Sequence, residues 1–164
     1  MSTAYVALGA NLPFEGKPPS MTLERALIAL AAAGFPAHAR SSVWRSPAWP
    51  PSDQQDYYNA VVALDTGGHS PQVLYRVLRD IEQSFGRERR ERWAARTLDL
   101  DLVAVDELAG DFDGIILPHP RMHERAFVLR PLAEIGPAWR HPVSGQAASA
   151  LLEGLPDVQI ERIG

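Results

Sequence analysis

Between Arg96 and Val103 the chain reads RTLDLDLV. Leu98, Leu100 and Leu102 alternate with Asp99 and Asp101. A period of two residues belongs to a β-strand with one buried face, because a helix would scatter those leucines around its circumference. The leucines are therefore expected to face a core. The two aspartates then share the opposite face, with Cα atoms roughly 6.5–7 Å apart. Aspartate is a poor strand residue, and like charges on one face repel. Two carboxylates so placed can converge on one cation, or bridge a pair of Mg²⁺ ions. An ordinary exposed strand face with acidic edges is the competing explanation, and the alternation alone does not separate the two.

The other periodicities supply the frame around this strand. Residues 3–9 read as a buried strand, and a helix is expected from Ser20 or Thr22 with Leu23, Ala26, Leu27 and Leu30 inside. Residues 36–45 read as a second strand and 57–66 as a third, with Tyr57, Asn59 and Val61 on one face of the latter. Ser70 is a suitable N-cap, with Pro71 at the first helical position. Val73, Leu74, Val77, Leu78 and Ile81 form the expected inner stripe of that helix. The strand from Thr97 to about Val105 follows. In the last third, a short extended piece is expected around Phe127–Leu129, a helix beginning at Pro131, and another within residues 145–156. The order β-α-β-β-α-β predicts an α+β fold. It is a ferredoxin-like sandwich with an antiparallel four-stranded sheet, and C-terminal additions supply helices to its second side.

The 164 residues fit one domain spanning residues 1–164. There is no cysteine, which removes disulfides and thiolate metal sites and fits a reducing compartment. No apolar run approaches the ~20 residues of a membrane span. The N-terminus lacks a signal-peptide pattern, so a cytoplasmic location is expected. A net charge of −4 argues against a general nucleic-acid surface. Charge is unevenly placed, however: Arg87, Arg89, Arg90, Arg92 and Arg96 crowd together just before the aspartates. Guanidinium forks match phosphate oxygens, and a carboxylate pair beside them suits metal-assisted polyphosphate transfer. A solvated loop of internal Arg–Glu pairs is the plainer alternative.

Other motifs narrow the choice. Lys17 is the only lysine, and Pro18 follows it where a Walker loop needs Ser or Thr. His119 and His123 have i, i+4 spacing, but Pro118 and Pro120 oppose a helical zinc site there. A phosphate-binding or a structural His119 remains open. Tyr57 and Asn59 share a face, and the asparagine amide can pair with the edge of a flat heterocycle. Tyr57, Trp49 and Phe127 offer stacking surface, though aromatics near strand ends also serve as core or rim.

Four stretches together carry a resemblance: AYVALGANL, RSPAWPPSDQQDYYNAVVAL, RWAARTLDLDLV and LPHPRMHERAFVLRPLAEIGP. In order and spacing the chain resembles the 6-hydroxymethyl-7,8-dihydropterin pyrophosphokinases of folate biosynthesis, from residue 4 to about residue 138. The resemblance implies a monomer that transfers a pyrophosphoryl group from MgATP, its co-substrate, to the pterin hydroxymethyl oxygen and releases AMP. It implies that Asp99 and Asp101 hold two Mg²⁺ ions, with Arg87 and Arg96 around the transferring phosphates. It assigns Glu82, the Leu102 main chain and the region around Leu117 to adenosine, His119 and Arg125 to the triphosphate, and Arg89 and Trp93 to a loop closing over ATP. The pterin site it implies comprises Ser46, Pro47, Trp49, Tyr57, Asn59 and Phe127, with Tyr57 and Phe127 sandwiching the ring. The loops at 46–56 and 86–96 are expected to order on substrate binding and to limit turnover. Arg79, where a neutral polar residue is common, and Pro120, where a tyrosine is common, depart from the pattern near the nucleotide.

Two other functions are compatible with parts of this pattern. An RNA-recognition module shares the predicted sheet topology, but it needs aromatics where the fourth strand carries aspartates. A metal-dependent phosphohydrolase would use the same carboxylates and would release phosphate from ATP without any pterin.

Overall fold

The structure, a computed structural model, describes residues 2–47, 55–86, 97–156 and 160–163. Its main sheet has six strands: β1 (Thr3–Ala10), β2 (Ala37–Arg40), β3 (Trp44–Ser46), β4 (Tyr57–Asp65), β5 (Asp99–Val105) and the short β8 (Glu161–Arg162). The order is β5-β1-β4-β3-β8, with β2 also on β4, and every pairing is antiparallel. A separate hairpin joins β6 (Gly110–Phe112) to β7 (Ile115–Leu117). The four expected strands are present, but the sheet is wider than the four-stranded one predicted.

The expected second strand is broken in two. Between Arg40, opposite Val62, and Trp44, opposite Asn59, one side carries an extra residue. At the break, buried Ser41 donates its N–H to the Val61 carbonyl, and its Oγ accepts the Val61 N–H at 2.9 Å. A hydroxyl thus replaces a strand carbonyl in the ladder, which keeps the Val61 groups paired while the strand bends.

Helices cover both faces. Helix α1 (Pro19–Ala32) begins one residue earlier than expected, with a proline at its first position, and α2 (Pro71–Ser84) is capped by Ser70 Oγ accepting from Val73 N at 3.3 Å. They bury Leu23, Ala26, Leu30, Leu74 and Leu78 against Val6, Leu8, Val62, Leu64, Leu98, Leu100 and Leu102. Val73 was expected inside α2 but is exposed; the buried stripe runs Leu74, Leu78, Ile81 and Glu82, a spacing that excludes position 73. On the other face, α3 (Ala126–Ile135) and α4 (Ala148–Glu153) pack on Val61, Val103 and Ala104.

The extended piece expected at Phe127–Leu129 is wrong, as is a helix start at Pro131. Helix α3 runs through both, with Pro131 inside it. An internal proline costs ~3 kcal/mol. Val128, Leu129 and Leu132 are almost fully buried against the sheet. At ~1.5–3 kcal/mol each, that burial outweighs the proline. The β6–β7 hairpin was not anticipated, although Asp113–Gly114 between short apolar runs is a strong hairpin signal. Both residues have positive φ, at 56° and 90°.

Candidate active site

The leucine–aspartate alternation through Leu98 and β5 behaves as its period requires. Leu98, Leu100 and Leu102 are buried in the core under α1 and α2, while Asp99 and Asp101 are half-buried on the other face. That strand lies at one end of the main sheet, so Leu100 turns its backbone groups away from β1. Side chains of α2 meet them. Leu100 N–H donates to Glu82 Oε2 at 2.7 Å, and the Leu100 carbonyl accepts from Arg79 Nη2. Arg79 Nη1 in turn lies 3.0 Å from Glu82 Oε1. The arginine–glutamate pair therefore stands in for a neighbouring strand at the residue between the two aspartates, and fixes where both carboxylates emerge. Glu82 is buried, with its carboxylate turned to this edge.

A β-bulge sits at the next step. Val6 pairs with Leu102 but Tyr5 pairs with Ala104, so Val103 is extra. Its carbonyl accepts the His119 N–H at 2.7 Å. The irregularity in β5 thus anchors His119 beside the aspartate strand, consistent with bulges found next to functional sites. His119 Nδ1 accepts the Arg121 N–H at 3.1 Å, which leaves the ring proton on Nε2. Burial lowers the imidazole from the usual 6.5 to about 4; the Arg125 and Arg121 charges act in the same direction, and Asp99 opposes them. At neutral pH His119 is an uncharged donor.

Arg125 immediately precedes α3, and its Nη1 is 3.8 Å from Asp101 Oδ2. Its guanidinium carbon also lies 5.7 Å from the Phe127 ring centre. Asp99, Asp101, His119 and Arg125 are thereby gathered at one end of the sheet. A cleft of about 220 Å³ opens beside them, lined by Tyr75, Arg79, Asp101, Leu102, Gly114, Ile115, Ile116, His119 and Pro120. The hairpin residues fall in the region around Leu117 that the resemblance assigns to adenosine, whereas Tyr75 was not singled out from sequence. Tyr75 is four residues before Arg79 on α2, so helical spacing could have revealed it.

A second group lies on the same face two strands away. Asp99 is opposite Gly9 on β1, and Gly9 is opposite Asn59 on β4. With ~4.8 Å between strands, Asp99 and Asn59 are about 10 Å apart across the glycine. A Cβ on Gly9 would lie 3.0 Å from Asn59 Oδ1 and 4.0 Å from the Tyr57 ring. Asn59 Nδ2 donates to Ser46 Oγ at 3.1 Å, and both residues are buried. Tyr57 pairs with Ser46, and exposed Pro47 follows. Ser46, Tyr57 and Asn59 are thus brought together. Trp49, Arg87, Arg89, Trp93 and Arg96 lie outside the described residues.

Among the described residues, no group of three or more His, Cys, Asp or Glu side chains is arranged to hold a metal. Two carboxylates are the available anionic donors. That number suits Mg²⁺, which commonly takes one or two carboxylates and completes its shell with substrate phosphates and water. No helix among the described residues is long and apolar enough to cross a membrane.

Comparison with known proteins identifies the family of the chain. Residues 5–137 match the family described as 7,8-dihydro-6-hydroxymethylpterin-pyrophosphokinase (HPPK). The chain is 42% identical over 151 residues to the 2-amino-4-hydroxy-6-hydroxymethyldihydropteridine pyrophosphokinase of Synechocystis sp., covering 92% of this chain and 74% of that protein. It is 36% identical over 163 residues to the Methylorubrum extorquens protein of the same name, covering 99% of both. The crystal structure of Plasmodium falciparum HPPK-DHPS wild type matches with a TM-score of 0.70 at 12% identity, covering 93% of this chain. This chain spans 44% of that longer one, and at such low identity the likeness is one of fold.

Proposed function

The chain belongs to the 7,8-dihydro-6-hydroxymethylpterin-pyrophosphokinase family, and on that premise we propose how its residues carry out the family reaction. It transfers the terminal pyrophosphoryl group of ATP to the hydroxymethyl oxygen of 6-hydroxymethyl-7,8-dihydropterin, in folate biosynthesis. The hydroxyl oxygen forms a bond to the β-phosphorus, the bond between that phosphorus and the α–β bridging oxygen breaks, and AMP leaves with that oxygen. The hydroxyl proton passes to solvent.

The observation that supports this most is the row Asp99–Gly9–Asn59. It sets a cation-binding carboxylate and a heterocycle-binding amide side by side, with side-chain-free space between them. A flat pterin held by the Asn59 amide would direct its hydroxymethyl group over Gly9 toward the phosphates. Ser46 accepts from the Asn59 Nδ2, which fixes the orientation of the amide and leaves Oδ1 toward the open space. Pro47, Trp49, Tyr57 and Phe127 complete this pocket, Tyr57 and Phe127 from the two ring faces.

Asp99 and Asp101 would hold two Mg²⁺ ions arriving with the nucleotide. When bound, magnesium neutralises charge on the phosphate oxygens. The remaining work falls to side chains that position and stabilise. Uncharged His119 donates from Nε2 to a phosphate oxygen, and Arg125 exchanges its contact with Asp101 for the triphosphate. Arg87 and Arg96 meet the charge that develops on the moving group, and Arg89 and Trp93 cover ATP. The Leu102 backbone groups point to the same edge as those of Leu100, since strand residues two apart share a direction. There they can meet the adenine edge beside the cleft. Glu82 acts on the adenosine through Arg79 and the Leu100 backbone.

No protein nucleophile is required, because positioning and electrostatics suffice for this transfer. We read β1-α1-β2/β3-β4-α2-β5 as a ferredoxin-like sandwich in which β2 and β3 share the role of one strand. The same reading makes the chain one domain, monomeric and cytoplasmic, without a nucleic-acid partner. Mixing the protein with MgATP and the dihydropterin tests the proposal. AMP equal in amount to the pterin pyrophosphate is expected; ADP, or phosphate released without pterin, would refute it.

A further inference from the structure

The cleft beside β5 contains one residue whose hydrogen-bonding capacity is only partly used. The Arg79 guanidinium carries five N–H groups. One on Nη1 meets Glu82 and one on Nη2 meets the Leu100 carbonyl. The Nε–H is buried without a partner, and each terminal nitrogen keeps one further N–H. The group lies 4.7 Å from the Tyr75 ring centre, and the side chain is 31% exposed where it lines the cleft. Arg79 is thus a fixed, permanently charged donor beside Tyr75, Leu102, Ile115 and Ile116, in a cleft that Asp101 and His119 also line.

Such a wall discriminates among flat bases. Apolar side chains and the Tyr75 ring accept any purine face. A guanidinium edge is attracted to the O6 and N7 acceptors of a 6-oxopurine, and is opposed by the 6-amino group of adenine. Adenine ring nitrogens still accept, so adenine is weakened and not excluded. We propose that Arg79 reads the 6-position of the nucleobase, and that this cleft accepts 6-oxopurine triphosphates, GTP and ITP, beside ATP. The proposal rests on the reading of the cleft as the nucleotide site, and it adds a specificity-determining residue to it.

The test measures binding of the magnesium complexes of α,β-methylene GTP and α,β-methylene ATP by calorimetry, for the wild-type chain, Arg79→Gln and Arg76→Gln. Glutamine presents a neutral amide that serves donor and acceptor edges alike. Arg79→Gln is expected to lower the GTP-to-ATP affinity ratio at least fivefold, because a charged base-edge contact is lost. Arg76→Gln removes the same charge from an exposed position of α2 that does not line the cleft, and should leave the ratio where it is in the wild type. A general loss of structure lowers both affinities and cancels in the ratio. A ratio changed less than fivefold by Arg79→Gln, or changed equally by Arg76→Gln, overturns the proposal. If the wild-type chain binds neither analogue, the nucleotide reading of the cleft fails and the proposal falls with it. If it binds the ATP analogue and the ratio ignores Arg79, the proposal alone is wrong.

Discussion

Replacing Glu82 tests whether the edge of β5 is held by α2. Glu82 is 1% exposed, accepts the Leu100 N–H at 2.7 Å and faces Arg79 at 3.0 Å. Glu82→Ala strands a buried backbone donor and removes the partner of a guanidinium. Breaking a buried pair costs ~3–5 kcal/mol. Arg79 keeps some contact with water, its side chain being 31% exposed, so the low end applies. A loss of about 3 kcal/mol is expected for alanine. Glu82→Gln keeps an acceptor for Leu100 and loses only the charge, so about 1–2 kcal/mol is expected. Against a typical total of ~5–15 kcal/mol both shifts are large. Urea denaturation with an unchanged m-value measures them. Because Leu100 lies between Asp99 and Asp101, alanine should also weaken magnesium–nucleotide binding more than glutamine does. Equal losses for the two variants, or a loss below about 1 kcal/mol for alanine, would refute the strand-edge role.

Other expectations concern the neighbouring site. Gly9→Ala puts a Cβ 3.0 Å from Asn59 Oδ1, so the amide must shift by a few tenths of an ångström. The KM for the pterin should rise about tenfold, equivalent to ~1.4 kcal/mol, while nucleotide affinity changes little; steady-state kinetics with each substrate varied separates the two. His119 titrates near 4 when folded and near 6.5 when unfolded, so between those values the unfolded chain binds more protons. Its contribution is present above pH 6.5 and is lost as pH falls toward 4, by no more than about 3 kcal/mol. Denaturation of the wild type and His119→Gln across that range should show a steeper loss for the wild type.

The aspartate-bearing edge strand and the two long helices were legible because their apolar periodicity matches what they bury. Leu98, Leu100 and Leu102 left Asp99 and Asp101 only one face to occupy. The segment around Phe127–Leu129 misled because a local rule, that proline opposes helix, competes with the burial of Val128, Leu129 and Leu132, which only the sheet supplies. The break at Ser41 was invisible for a related reason: serine reads as a neutral strand residue until the Val61 N–H needs an acceptor. At the site, the carboxylates stood out by type and spacing. The tie from α2 to the Leu100 backbone did not, because it depends on which strand lies at the edge. His119 was noticed for its motif, but its anchor on a bulged carbonyl is a tertiary fact.

Asp99 and Asp101 carry most of the weight, and one titration examines them directly. Magnesium α,β-methylene ATP is titrated calorimetrically into the wild-type chain and into the double variant Asp99→Asn, Asp101→Asn, with circular dichroism verifying that both are folded. Removing both anionic donors should weaken binding at least a hundredfold, about 2.8 kcal/mol. Binding within a few-fold of the wild type in the folded double variant would contradict the assignment of the metal–nucleotide site to β5.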